Sequence, residues 1–89
     1  MHIGNVTELI LTGNEITSTL GLDRLFSLER LSLDENNIQH LTHIAGVAKI
    51  PFLMNFDLKG NPIEADGKVV VSSYIASIQT NLVFVLHLS

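Results

Sequence analysis

The stretch LERLSLDENNI places apolar residues at Leu28, Leu31, Leu33 and Ile38, with Asn36 three residues after Leu33. The spacing is too irregular for one face of a helix and too broken for a half-buried strand. The same frame recurs in VTELILTGNEI and LMNFDLKGNPI. It is filled by Val6, Leu9, Leu11, Asn14 and Ile16, then by the residues above, then by Leu53, Phe56, Leu58, Asn61 and Ile63. Frame positions one, four, six and eleven are large and apolar in every copy, and position nine is Asn. The copies begin at Val6, Leu28 and Leu53, 22 and 25 residues apart. Repeats of this length are single supersecondary units that bury an apolar face only by stacking on their neighbours.

The frame resembles the leucine-rich repeat, L-x-x-L-x-L-x-x-N-x-L. The resemblance implies an α/β fold, a right-handed solenoid of short parallel strands, 3₁₀-like connectors and a helical C-terminal cap. The short repeats resemble the intracellular 22-residue class found in regulatory subunits of protein phosphatase-1. The longer last connector, with IPFL before GNPI, resembles the end of the nischarin type of array. In this family the position-nine amide bonds the backbone of adjacent turns, which gives Asn14, Asn36 and Asn61 a structural role.

The first half of each frame is expected to be a strand. Side chains alternate across a strand, so positions four and six point into the core and three, five and seven point away from it. The second connector then places Leu41, Ile44, Val47, Ile50 and Leu53 at every third residue. That period suits a 3₁₀ helix, whose side chains eclipse at i and i+3. In the first connector Leu22, Leu25 and Leu28 keep phase, but Thr19 stands where an aliphatic residue is expected. Leu20 or Phe26 is the candidate to compensate.

These features divide the chain into repeats over 1–63 and a C-terminal cap helix with a terminal strand over 64–89. In EADGKVVVSSYIASIQ, a turn at Asp66-Gly67 precedes one helix with Val71, Tyr74, Ile75 and Ile78 on one side. The family's cap has a Tyr-Arg pair early in this helix, where Val69 and Val70 stand here. NLVFVLHLS reads as a final strand, apolar on both faces. Ile3 falls on the step before Val6 and nothing polar or helical precedes it to cap the core, so the chain reads as part of a longer array with an uncapped first strand, a short protein capped by its own partner being the alternative.

Composition narrows the function. The 89 residues suffice for one small domain, 46% hydrophobic, with a formal charge of −4 that disfavours phosphate binding and hence nucleic acid. No apolar run reaches the ~18 residues of a membrane span. Cys is absent, which with the resemblance favours a reducing, cytoplasmic setting. Asn5 begins an NVT sequon of the kind common by chance. No nucleophile shares a motif with an acid or base, so no catalytic residue and no cofactor are expected. His40 and His43 are the nearest approach to a metal pair, but their connector phase puts them on the solvated side, and a structural zinc site needs four ligands. No metal is expected.

What remains is a surface. Positions three, five and seven give Glu8, Ile10 and Thr12, then Arg30, Ser32 and Asp34, then Asn55, Asp57 and Lys59. Neighbouring strands set Glu8 beside Arg30 and Asp34 beside Lys59. The expected function is protein–protein interaction through this concave face, in an intracellular signalling scaffold or regulatory subunit. Arg30, Asp34, Asn55, Asp57 and Lys59 are the candidate binding residues. A structural or self-association segment of a longer array is the alternative, and a ribonucleoprotein subunit the weaker one.

Overall fold

The computed structural model of the chain describes residues 5–78 and 85–87. The three frames each open a short strand at position three: β1 (Glu8–Ile10), β2 (Arg30–Ser32) and β3 (Asn55–Asp57). Together with β4 (Val85–His87) they form a parallel sheet in the order β1-β2-β3-β4. The register follows the frame: Glu8 pairs with Arg30 and Arg30 with Asn55, while Leu9, Leu31 and Phe56 align one step on. The fold is therefore α/β with a parallel sheet, and a helix or 3₁₀ segment lies between each strand and the next.

The inward positions meet the connectors in one core. Leu31, Leu33, Phe56 and Leu58 from the strands pack with Ile38, Ile44, Val47, Ile50 and Ile63, all essentially without exposed surface. Val6, Leu9, Leu11 and Ile16 of the first frame are only partly covered.

The period of three does produce a 3₁₀ helix, Leu41–Lys49. Nine residues is long for this geometry, whose hydrogen bonds are poorer than those of an α-helix. Packing compensates, because the eclipsed row buries Ile44 and Val47, with Ile50 following at the C-cap. A shorter 3₁₀ segment, Leu22–Arg24, precedes β2. After β3, Pro62–Asp66 makes another, and Gly67 at φ 88° lets the chain turn into α1 (Lys68–Ile78). Val71 and Ile75 are buried, with Tyr74 and Ile78 half-buried, so α1 lays the expected side on the 41–49 and 62–66 segments. Val69 and Val70 face solvent.

The asparagines tie the turns together. Asn36 donates to the Leu11 carbonyl of the preceding repeat at 3.0 Å and accepts the Ile16 N–H at 3.1 Å. Asn61 repeats this on the next turn, with the Leu33 carbonyl at 2.8 Å and the Ile38 N–H at 3.1 Å. Asn14 is exposed and donates only within its own turn, to Leu11 and Thr12. The buried bridging role thus holds for two of the three.

Two expectations for the connectors need correction. Leu20 and Phe26 do not compensate for Thr19, being 90% and 57% exposed. Thr19 itself is fully buried. Its hydroxyl donates to the His43 carbonyl and accepts the Gly46 N–H, both at 3.0 Å. Those two groups lie three residues apart on the 3₁₀ helix, the spacing of that helix's own ladder. A polar residue fills an apolar slot because both of its hydrogen-bonding roles are met there. The second correction is His43, which is half-buried rather than solvated and whose Nδ1 is enclosed without a hydrogen-bond partner. His40 is exposed, with its ring edge-on to His43 at 5.2 Å.

Ile3, His2, Gln79 and the terminal segment apart from 85–87 lie outside the described residues, as does any cover over the final strand.

Candidate functional site on the exposed sheet face

The parallel register sets the outward side chains in rows. Glu8, Arg30 and Asn55 make the first row, and Ile10, Ser32 and Asp57 the second. Thr12, Asp34 and Lys59 follow on each chain beyond the strands. Five of these nine are exposed and the other four half-buried. Row members lie about 4.8 Å from their neighbours, as strands in a sheet do.

In the first row Arg30 reaches Glu8, Nη1 to Oε2 at 4.0 Å, with more than half of each side chain exposed. The last row differs from the expected pair of charges. Asp34 accepts the backbone N–H of Lys59 at 2.9 Å rather than pairing with its ammonium group. This bond fixes the turn after β3 to the turn after β2. Between these rows, Ser32 meets Thr12 hydroxyl to hydroxyl at 3.4 Å. Glu8, Ile10, Arg30, Ser32, Asn55 and Asp57 line one shallow depression across the three strands.

All five candidate residues therefore lie on one face. Arg30, Asn55 and Asp57 border the depression, while Asp34 and Lys59 sit beyond its edge. Ile10 was not among them, yet it is 63% exposed at the β1 end of the second row. Its signal was in the frame, an aliphatic residue at position five where the other copies have Ser32 and Asp57. Among the described residues, no group of three or more His, Cys, Asp or Glu is placed to hold a metal ion. No helix among them is long and apolar enough to cross a membrane.

No protein-family model matches the chain. Leucine-rich repeat-containing protein 36 from Homo sapiens is similar to it, 41% identical over 59 residues, which is 66% of this chain and 8% of that protein. The Mus musculus protein of the same name is 39% identical over 59 residues, with the same coverage. The similarity supports a leucine-rich-repeat relationship. The matched segment is a small part of those relatives, so it speaks to the repeat and not to what the whole proteins do.

Proposed function

We propose that this chain is a leucine-rich-repeat module for protein–protein interaction and that its partner docks on the exposed sheet face. The observation that carries the reading is the register, which gathers outward side chains of β1, β2 and β3 into rows, Glu8 with Arg30 and Asn55, then Ile10 with Ser32 and Asp57. Repeat-to-repeat bonding by Asn36 and Asn61 supports a solenoid, divided as repeats over 1–63 and a cap with terminal strand over 64–89. Arg30, Asp34, Asn55, Asp57 and Lys59 are the binding residues of this reading. A scaffold or regulatory subunit of the intracellular 22-residue class is the setting it fits.

The test is an affinity pull-down read by mass spectrometry, using the natural chain beside Arg30→Glu with Lys59→Glu. Both side chains are exposed, so circular dichroism should be unchanged. Selective loss of a partner set in the variant supports the face. Equal recovery by both proteins removes it.

The partly covered Val6, Leu9, Leu11 and Ile16 favour a second reading, self-association along the β1 edge. An average mass that rises with concentration in sedimentation supports that reading, and a constant monomer mass overturns it.

A further inference from the structure

The β1 edge determines how a second copy lies on it, an inference that rests on the self-association reading above. We infer that two copies of the chain join as an antiparallel pair of β1 strands, related by a two-fold axis that passes beside Ile10. The backbone leaves that edge open. Leu11 and Gly13 donate to the Ser32 and Asp34 carbonyls, and the Thr7 carbonyl accepts from the Glu29 and Arg30 N–H groups. Backbone groups alternate sides along a strand, so those of Glu8 and Ile10, with the Thr12 N–H, point to the opposite edge. Among the described residues β1 is the last strand on that side. An unpaired edge of this kind is a template for another chain. Two copies that meet by the same edge form a closed, self-complementary pair.

The side chains fix the register. With the axis beside Ile10, each Ile10 faces the partner's Ile10 and each Glu8 faces the partner's Thr12. Residues opposite one another in such a pair share a face of the sheet. On the inward face Leu9 then meets the partner's Leu11, and both are only partly covered in the single chain. On the outer face the two Ile10 side chains, each 63% exposed, shield one another from water. Glu8 is the charged residue of β1, and this register holds its two copies about 13 Å apart along the strands. Moving the axis to Leu9 or Glu8 brings those like charges together and parts the isoleucines. Moving it to Leu11 sets Glu8 against the partner's Asn14. That residue lies past Gly13, whose φ of 76° has already turned the chain out of the strand.

The chain contains no Cys, so an introduced thiol reports this geometry without interference. Hydrogen-bonded partners in an antiparallel ladder have Cα atoms about 5.5 Å apart, within reach of a disulfide. Single variants Ile10→Cys, Glu8→Cys, Thr12→Cys and Leu20→Cys are oxidised mildly, at a concentration where sedimentation shows the natural chain associating. All four side chains are exposed, so each variant keeps the fold. Leu20 is the control, 90% exposed on the connector beside Ala45. Ile10→Cys is expected to dimerise covalently at least about tenfold faster than Leu20→Cys, because pairing raises the effective concentration of its thiol. Glu8→Cys and Thr12→Cys, mixed, are expected to cross-link with each other at least about tenfold faster than either does with itself. Either comparison decides alone, should a variant disturb folding by circular dichroism. Ile10→Cys no faster than Leu20→Cys, or Glu8→Cys joining itself as readily as Thr12→Cys, overturns the antiparallel register and leaves self-association standing. A constant monomer mass of the natural chain overturns both.

Discussion

Thr19 holds Gly46 by its side-chain oxygen at 3.0 Å, and the contact leaves no room for a larger residue at 46. A Cβ added there meets the Thr19 carbonyl and hydroxyl oxygens, each at 2.7 Å. One of those atoms is backbone, so rotation of a side chain cannot relieve the overlap. Gly46→Ala is expected to destabilise the chain by about 1–3 kcal/mol, the usual penalty for overpacking. Thr19→Val keeps the shape but removes the hydroxyl, leaving the Gly46 N–H to lose a partner, and should cost about 1–2 kcal/mol. Thr19→Ser retains the bridge and should cost less than Val. Urea unfolding of the three variants orders them; a Val variant as stable as the natural chain would show that the bridge contributes nothing.

The asparagines offer an internal control. Asn36 spans two repeats from a buried position, whereas Asn14 is exposed and bonds only its own turn. Asn36→Ala leaves the half-buried Ile16 N–H without its side-chain acceptor and takes one of two amide donors from the Leu33 carbonyl, and is expected to cost about 1–3 kcal/mol. Asn14→Ala should cost about 1 kcal/mol or less. Equal losses in denaturant titrations would mean that the contacts between repeats are not what makes the residue matter.

Frame position eight carries a strain that one substitution relieves. Gly13 and Gly60 occupy it at φ 76°, and Glu35 occupies it at φ 56°, a left-handed backbone that costs an L-residue about 1–2 kcal/mol. Glu35→Gly is expected to stabilise the chain by about 0.5–1 kcal/mol, since glycine's larger unfolded-state entropy offsets part of the relief. A rise in melting temperature checks the sign. A fall would show that the Glu35 side chain, whose Cγ lies near Gly60, packs well enough to outweigh the strain.

The frame made much of this fold legible. The first half of each frame predicts β1, β2 and β3, and the alignment of the frames predicts their register. The 3₁₀ helix at Leu41–Lys49 could be read because a period of three has few other physical causes. Thr19 could not be read in that way. An apolar phase says only that a slot is buried, and whether a hydroxyl can live there depends on two backbone groups that lie 24 and 27 residues away. His43 failed for a related reason, since the phase of a connector does not report how closely the next layer covers it. Glu35 was legible but unread: glycine at the same position in the other two copies is the signal of a left-handed turn. On the face, attention to charge passed over Ile10, although an exposed aliphatic residue in a polar row is the more unusual feature.

Arg30 and Glu8 should stabilise the sheet only slightly. They meet at 4.0 Å with more than half of each side chain in solvent, where exposed pairs are worth about 0.2–1 kcal/mol. A double-mutant cycle with Arg30→Ala and Glu8→Ala is expected to give a coupling at the low end of that range, shrinking as salt is added. A larger coupling that resists salt would indicate a desolvated pair and a more enclosed face.

Leu9 and Phe56 sit on the same inward row but under different cover, and their truncation should separate the two. Phe56 has no exposed surface and is flanked by β2 and β4, so Phe56→Ala is expected to cost about 3–5 kcal/mol. That is much of the ~5–15 kcal/mol that holds a typical domain, and a partly unfolded population should be visible by circular dichroism. Leu9 lies on β1, which has a strand on one side among the described residues, and it is only partly buried. With less surface to lose, Leu9→Ala should cost about half as much or less. The comparison is made by urea unfolding at low protein concentration. If Leu9→Ala proves as damaging as Phe56→Ala, the β1 side is covered in solution. Repeating the titration at higher concentration then tells whether a second copy supplies that cover, because only association makes the midpoint depend on concentration.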